Sequence, residues 1–160
     1  MRNFWIRVLI RLAIPMGAGW IRQQEARVLH DGRPLSEWES GWAVEVGVRH
    51  PERVRILLVP VVPTPGSSLL RVLAAISRFG MDAPTGMAVN YGIFLDSSQS
   101  NNPSLLVHEL AHVAQYERLG GIEAFLAEYL RQCVADGYWD ADMEQEARDA
   151  AAPYARPPGG

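Results

Sequence analysis

Lysine is absent from this sequence, because all fifteen basic residues are arginines. A chain without lysine cannot form a lysine Schiff base and cannot supply the lysine of a phosphate-binding loop. Cysteine is nearly absent as well, since Cys133 is the only one. A single cysteine excludes both an intramolecular disulfide and a CxxC metal knuckle. Any metal in this protein must therefore be held by histidine and carboxylate side chains.

The sequence also lacks an excess of positive charge, with a net charge of −3 at pH 7 and a pI near 5.8. Proteins that bind nucleic acid by neutralising phosphates carry arginine and lysine clustered on one face or along one stripe. No such stripe is present here. We therefore expect no nucleic-acid partner.

The apolar N-terminal segment lacks a long uncharged run too, because four arginines interrupt it and its longest uncharged stretch is residues 12–21. A bilayer-spanning helix takes about 20 residues. Pro15 and two glycines interrupt this stretch, and no Ala-x-Ala cleavage pattern follows it, so it makes a poor signal peptide. We expect a cytoplasmic protein whose N-terminal helix packs on its own core, with secretion left open. Weak contact with a membrane surface also stays open, because apolar residues recur at helical spacing beside Arg7 and Arg11, namely Phe4, Trp5, Val8, Leu9 and Leu12.

Hydrophobic spacing and turn residues predict a mostly helical α+β fold in a single domain over residues 1–152. Residues 1–84 are predicted to form a scaffold, residues 85–152 the core of the site, and the Pro- and Gly-rich residues 153–160 a disordered tail. Strands are predicted over residues 53–62 and in a hairpin over 85–96. Helices are predicted over 19–29, from Ser36 in a capping box with Glu39, over 67–79, from 103 to the glycine pair at 120 and 121, and over 122–135 and 141–152.

The segment HELAH, residues 108–112, is an HExxH motif. Residues four apart lie one above the other on a helix, so His108 and His112 can both reach one ion. Glu109 is rotated by about 100° and can address a water on that ion instead. The motif therefore predicts two metal ligands and a general base.

The helix that carries this motif is apolar on nearly every face, which predicts that it is buried. Two histidines and a glutamate buried without partners would cost several kcal/mol, and a divalent cation is the simplest partner for all three. The alternative is a pair of core histidines bonded to backbone or carboxylates, with Glu109 paired to an arginine.

A catalytic zinc site needs a third protein ligand and an open position. His30 and His50 lie next to turn residues, where exposure is expected, and the residues after His112 lack the metzincin extension. The last helix offers Glu144 and Glu146. Because residue 146 falls in the apolar stripe of Met143, Ala147, Ala150 and Ala151, we predict Glu146 as the ligand. Asp149 shares that face and is predicted to orient a ligand histidine.

HELAH followed by a helical spacer and EQEARDA resembles the gluzincins, in which a glutamate on a later helix completes HExxH. The segments VNYGIFLD, LLVHELAHVAQYERLG, FLAEYL and GYWDADMEQEAR are similar to minimal zincin-like domains of bacteria. The resemblance covers roughly residues 85–150. It implies a small β-sheet or hairpin packed on a central HExxH helix, with zinc bound by His108, His112 and Glu146 and with Glu109 as base.

On this basis we expect a zinc metallopeptidase acting on peptides or proteins, in which zinc activates water and Glu109 takes its proton. The hairpin strand at residues 91–95 is the expected platform for an extended substrate. Two alternatives remain open. One is a catalytically silent metal-binding module, such as part of a secretion or toxin-type assembly, and the other is a membrane-surface protein whose metal only stabilises the fold.

Overall fold

The computed structural model of the protein describes residues 2–66 and 84–155, with the backbone alone for residues 2–7 and 9. These ranges contain five α-helices and a four-stranded mixed sheet, which confirms the predicted mostly helical α+β fold. The helices are α1 (Arg2–Asp31), α2 (Glu37–Glu45), α3 (Pro103–Leu119), α4 (Ile122–Asp136) and α5 (Asp142–Ala151). The strands are β1 (Arg33–Pro34), β2 (Arg55–Val59), β3 (Gly86–Val89) and β4 (Gly92–Asp96).

The sheet has the strand order β1, β2, β4, β3. β2 and β4 run parallel, with Ile56 opposite Ile93, whereas β1 and β3 run antiparallel to their neighbours. β3 and β4 form the predicted hairpin, and Asn90 takes the positive φ of 60° that its turn requires. β4 therefore lies inside the sheet, whereas β1 and β3 are the two edge strands among the strands described.

The core lies on both faces of this sheet because successive side chains of a strand point to opposite sides. Phe94 of β4 packs in a cluster with Val28 of α1 and aromatic residues of α4. Ile93 and Leu95, the neighbours of Phe94, pack instead with Leu106, Leu110 and Val113 of α3. The sheet thus holds α3 against one face and α1 against the other.

Both ends of α3 follow the sequence signals. The Asn102 side chain accepts a hydrogen bond from the backbone N–H of Leu105, and Pro103 occupies the first turn, where no backbone donor is lost. Gly120 ends the helix with a φ of 98°, a conformation that glycine adopts without steric cost. These two caps fix where the helix that carries the HExxH segment begins and ends.

The helix predicted over residues 19–29 proves to be the second half of α1, which continues through Pro15. A proline inside a helix removes one hydrogen bond. That loss is tolerated because Ala13, Gly17 and Ala18 are buried around it, and α1 packs along α4. None of the helices in the described ranges is both long enough and apolar enough to span a membrane.

Residues 153–155, which were predicted to belong to the tail, are part of the described structure. Residues 152–154 form a turn of 3₁₀ helix in which the Tyr154 ring contacts Trp42 and the Tyr154 hydroxyl donates to Glu45 at 2.6 Å. This aromatic anchor explains why residues 153–155 are part of the domain, although their composition indicated disorder. The helix predicted over residues 67–79 and the tail at 156–160 lie outside the described residues.

Candidate metal centre

The two histidines of the HExxH segment lie side by side on α3. Their Nε2 atoms are 3.2 Å apart, and the ring centroids are 4.8 Å apart. Most of α3 from Leu106 to Tyr116 is buried, as the apolar sequence predicted. The His108 side chain is 19% exposed and that of His112 only 9%, so the pair is reached from solvent mainly at His108.

Helix α5 packs along α3 and brings the Glu144 carboxylate to both imidazoles. Glu144 Oε2 lies 3.3 Å from His108 Nε2, and Glu144 Oε1 lies 3.3 Å from His112 Nε2. One ligand atom from each of the three residues falls within 4.8 Å of the others. The group of His108, His112 and Glu144, here called the triad, is close enough to hold one metal ion.

The triad corrects the sequence-based choice of the third ligand. Glu146 is exposed, and its carboxylate binds the Arg118 guanidinium through two hydrogen bonds of 2.9 and 2.8 Å. Among the described residues, Gln115 links it to the centre indirectly by donating a hydrogen bond to it at 3.2 Å. Glu144, the glutamate that was not chosen from the sequence, has a side chain that is only 2% exposed. Glu144 therefore takes the place in the site that was predicted for Glu146.

The helical geometry of α5 explains this exchange. At about 100° per residue, Glu144 lies within about 20° of Ala151 and about 60° of Ala147, whereas Glu146 lies about 100° or more from both. Ala147 and Ala151 are buried, and Ala150, which had extended the predicted stripe toward Glu146, is only half-buried. The sequence alone does not show that Ala150 is less buried than Ala147 and Ala151, so the choice between the two glutamates required the folded structure.

The spacing of the triad is compatible with the binding of one ion. In a site with metal–ligand bonds of ~2.0 to 2.1 Å, tetrahedral geometry separates the ligand atoms by ~3.3 to 3.4 Å. The two histidine Nε2 atoms are 3.2 Å apart and have this spacing, whereas the two 3.3 Å separations to Glu144 involve different oxygens, and one ligand atom from each residue lies within 4.8 Å of the others. Glu144 Oε2 is also buried, with no hydrogen-bond partner among the described residues. Such an atom is costly to bury unless something binds it, and a cation would do so.

Gln115 fixes the orientation of His112, a role that the sequence analysis did not foresee. The Gln115 Oε1 atom lies 2.8 Å from His112 Nδ1, while its amide donates to the Met143 carbonyl at 2.9 Å. A hydrogen bond from Nδ1–H to this oxygen leaves the Nε2 lone pair of a neutral imidazole directed at the triad. Gln115 lies three residues after His112, a spacing that places both side chains on one helix face.

Asp149 does not have the orienting role predicted for it. It is exposed on α5, about 120° or more from Glu144 around the helix. Within the described part of the chain the polar neighbour of His112 Nδ1 is Gln115, so the amide replaces the predicted carboxylate. His30 and His50 are exposed, as expected, and take no part in the triad.

Tyrosines surround Glu144 on its other side. The Tyr129 hydroxyl donates to Glu144 Oε1 at 2.6 Å and thereby holds the carboxylate in place. Burial and the charge of Glu144 raise the pKa of Tyr129 well above its usual value. Burial, with the charges of Glu144 and Glu109, likewise raises the pKa of Tyr138. Both phenols therefore stay protonated at neutral pH and act as donors beside the triad.

The triad itself is strongly coupled. Burial acts to lower the pKa of His112, but the hydrogen bond and charge of Glu144 outweigh it and raise that pKa to about 9. Burial acts to raise the pKa of Glu144, but its contacts with the His108 and His112 imidazoles hold that pKa well below its usual range. Without an ion, the pair therefore keeps a proton on the imidazole and a charge on the carboxylate. A metal cation would replace that proton.

Glu109 lies beside the triad and against strand β3. A Cβ atom built on Gly86 would lie 2.8 Å from Glu109 Oε1, so glycine at position 86 leaves the space that this carboxylate fills. Glu109 is only 5% exposed. Burial raises its pKa, against the charges of His112 and His108 and a backbone hydrogen bond from Ala88. The structure thus places a buried carboxylate of raised pKa next to the site that can hold a metal.

The expected substrate platform also needs correction. Residues 92–95 of the predicted platform belong to β4, which pairs with β2 on one side and β3 on the other. A strand with two neighbours has no free backbone groups for a peptide. The strand beside Glu109 is β3.

Comparisons with protein-family models, curated proteins and solved structures gave no match for this chain. The case for any function therefore rests on the geometry of the site.

Proposed function

We propose that the protein is a zinc-dependent hydrolase of the zincin type and that its reaction is the hydrolysis of peptide bonds. The observation that carries the proposal is the triad with Glu109 directly after its first histidine. Two imidazoles and one carboxylate form the ligand set of several catalytic zinc sites, which leave a fourth position open. The same set argues against calcium and magnesium, since those ions take oxygen ligands.

Glu109 is the residue that moves the proton in this proposal. A zinc ion in the triad supplies the Lewis acidity that activates water and polarises a carbonyl group. Glu109 is buried beside the triad, and burial raises its pKa, which is the direction that favours a carboxylate acting as general base. No ion pair between Glu109 and an arginine occurs among the described residues, which disfavours the purely structural alternative.

Strand β3 is the proposed platform for the substrate. Gly86 of β3 approaches the Glu109 carboxylate closely, and β3 is one of the two edge strands among those described. An extended peptide that pairs with an edge strand gains main-chain hydrogen bonds whatever its sequence. A peptide on β3 would therefore present its backbone to Glu109 and the triad.

The catalytically silent metal-binding module remains a second candidate, and one observation favours it. The three triad side chains are 19%, 9% and 2% exposed, and structural zinc sites are characteristically closed. In that case the metal would tie α5 to α3 and stabilise the domain without turnover.

The two candidates differ at Glu109. Purified protein should hold close to one zinc per chain by metal analysis under either candidate. Under the hydrolase proposal, Glu109→Gln keeps that zinc but abolishes cleavage of casein or a peptide library. Glu146→Gln serves as the matched control and retains activity, because Glu146 pairs with Arg118 outside the triad. Equal cleavage by Glu109→Gln and the wild type would remove Glu109 from its role. Zinc binding without any cleavage by the wild type would favour the silent module.

A further inference from the structure

The first half of α1 carries apolar side chains that the described domain leaves exposed. A 30-residue helix is about 45 Å long. Among the described side chains of α1, the buried ones begin only at Ala13. Before that residue, Val8 and Ile10 are half-buried, and Arg11 and Leu12 are exposed.

The outer face of α1 is apolar rather than polar. Leu12 is 60% exposed and Met16 is 48% exposed, and the two lie four residues apart on one face. Val8, four residues before Leu12, shares that face and is half-buried. By sequence spacing alone, Trp5 falls three residues before Val8. The opposite face of the helix, with Ala13 and Ala18, packs into the core. The face with Val8, Leu12 and Met16, here called the outer face of α1, has no partner in the described domain.

The charge around the outer face has a single sign. Residues 1–24 contain four arginines and no acidic residue, in a chain whose net charge is −3. Arg22 pairs with Glu123 of α4, whereas Arg11 is exposed and makes no ion pair among the described residues. Exposed apolar side chains flanked by arginines are what a helix needs to lie in the headgroup region of an anionic bilayer.

We propose that the outer face of α1 docks the protein on an anionic lipid surface, with α1 lying in the plane of the interface. Leu12 and Met16 enter the boundary between headgroups and acyl chains, and Arg11 stays at the level of the lipid phosphates. A second copy of the chain fits this face less well, because a two-fold contact would bring the arginine-rich segments of both copies together without an acid between them.

Co-sedimentation of the full chain with vesicles tests the proposal. Binding should be strong with phosphatidylcholine vesicles that contain phosphatidylglycerol, weak with phosphatidylcholine alone, and lost at high salt, since salt screens the arginines. Arg11→Gln should weaken binding about fivefold, because one basic residue near an anionic surface contributes about 1 kcal/mol. Leu12→Glu/Met16→Glu should weaken it at least about tenfold.

Trp38→Glu/Val44→Glu is the matched control, since both residues are exposed and lie on α2, which packs against α3. It adds the same negative charge and should leave binding within about threefold, because distant exposed charges are largely screened. Circular dichroism checks that both double variants are folded.

Equal loss of vesicle binding in both double variants, no binding by the wild type, or equal binding to neutral and anionic vesicles would overturn the proposal. A wild-type dimer by light scattering that becomes monomeric in Leu12→Glu/Met16→Glu would also overturn it and assign the face to a second copy. None of these outcomes depends on whether the metal site hydrolyses peptides.

Discussion

Replacing Glu144 by Gln removes the one negative charge in the triad and keeps the shape of the side chain. Glu144 lies 3.3 Å from each histidine and accepts a hydrogen bond from Tyr129. A glutamine can still accept from Tyr129 through its carbonyl oxygen. The variant therefore tests the charge and the metal bond rather than the packing of α5.

The expected loss of zinc affinity is large. Zinc held by a complete ligand set binds with ~10 to 16 kcal/mol, so one of three protein ligands contributes roughly 3 to 5 kcal/mol. That corresponds to roughly 10² to 4 × 10³-fold weaker binding, because every 1.4 kcal/mol is a factor of ten. Glu146→Gln loses only an exposed pair with Arg118, worth about 0.2 to 1 kcal/mol, and should change zinc affinity by no more than about threefold.

Competition with a chromogenic chelator measures both affinities, and metal analysis gives the stoichiometry. A second measurement uses metal-free protein and follows the pKa of His112. Glu144 raises this pKa to about 9, although burial of His112 acts to lower it. In metal-free Glu144→Gln, NMR titration should find the pKa of His112 lowered. Retained zinc affinity in Glu144→Gln with a loss in Glu146→Gln would refute the assignment of the triad.

Four further predictions follow from individual contacts. Gly86→Ala should cut hydrolysis while zinc is retained, because the added Cβ would lie 2.8 Å from Glu109 Oε1 and displace it. Gly41→Ala should raise the free energy of unfolding by about 0.5 to 1 kcal/mol in denaturant titrations, because Gly41 is exposed within α2 and a Cβ there meets nothing. Gln115→Leu should weaken zinc binding about 10- to 100-fold in the chelator assay, because it removes the acceptor that orients His112. The metal-free protein should lose stability as pH rises through about 9, because His112 titrates near 6.5 when unfolded and near 9 when folded. Its contribution, on the order of 3 kcal/mol, is complete below pH 6.5, and zinc affinity rises through the same interval as the proton is released.

Each of these has an outcome that would contradict it. Unchanged hydrolysis in Gly86→Ala would mean that Glu109 does not act where it packs against β3. A loss of stability in Gly41→Ala would contradict the open surroundings of that residue. Unaltered zinc affinity in Gln115→Leu would show that the His112 ring is held by packing alone. Denaturation midpoints of metal-free protein that are flat between pH 6 and 10 would contradict the coupling of His112 and Glu144.

Local signals predicted much of the fold correctly. The Ser36 capping box, the Asn102 cap of α3, the terminal Gly120 and the hairpin turn at Asn90 all appear in the structure. Each depends on a few neighbouring residues whose backbone preferences are strong enough to act alone. Predictions failed where distant packing decided the result. Tyr154, for example, is held to the domain by Trp42, which is far away in the sequence.

The site shows the same division between local and distant effects. Helical periodicity alone determined that His108 and His112 share one face of a buried helix and that Glu109 does not. Which acid completes the site was decided by the way α5 lies along α3, since this turns Glu144 inward and leaves Glu146 to Arg118. The same packing placed β3, rather than β4, beside Glu109. Spacing within one helix is fixed by covalent geometry, whereas the rotation of one element against another is set by side-chain packing over the whole core, and only the folded structure reveals it.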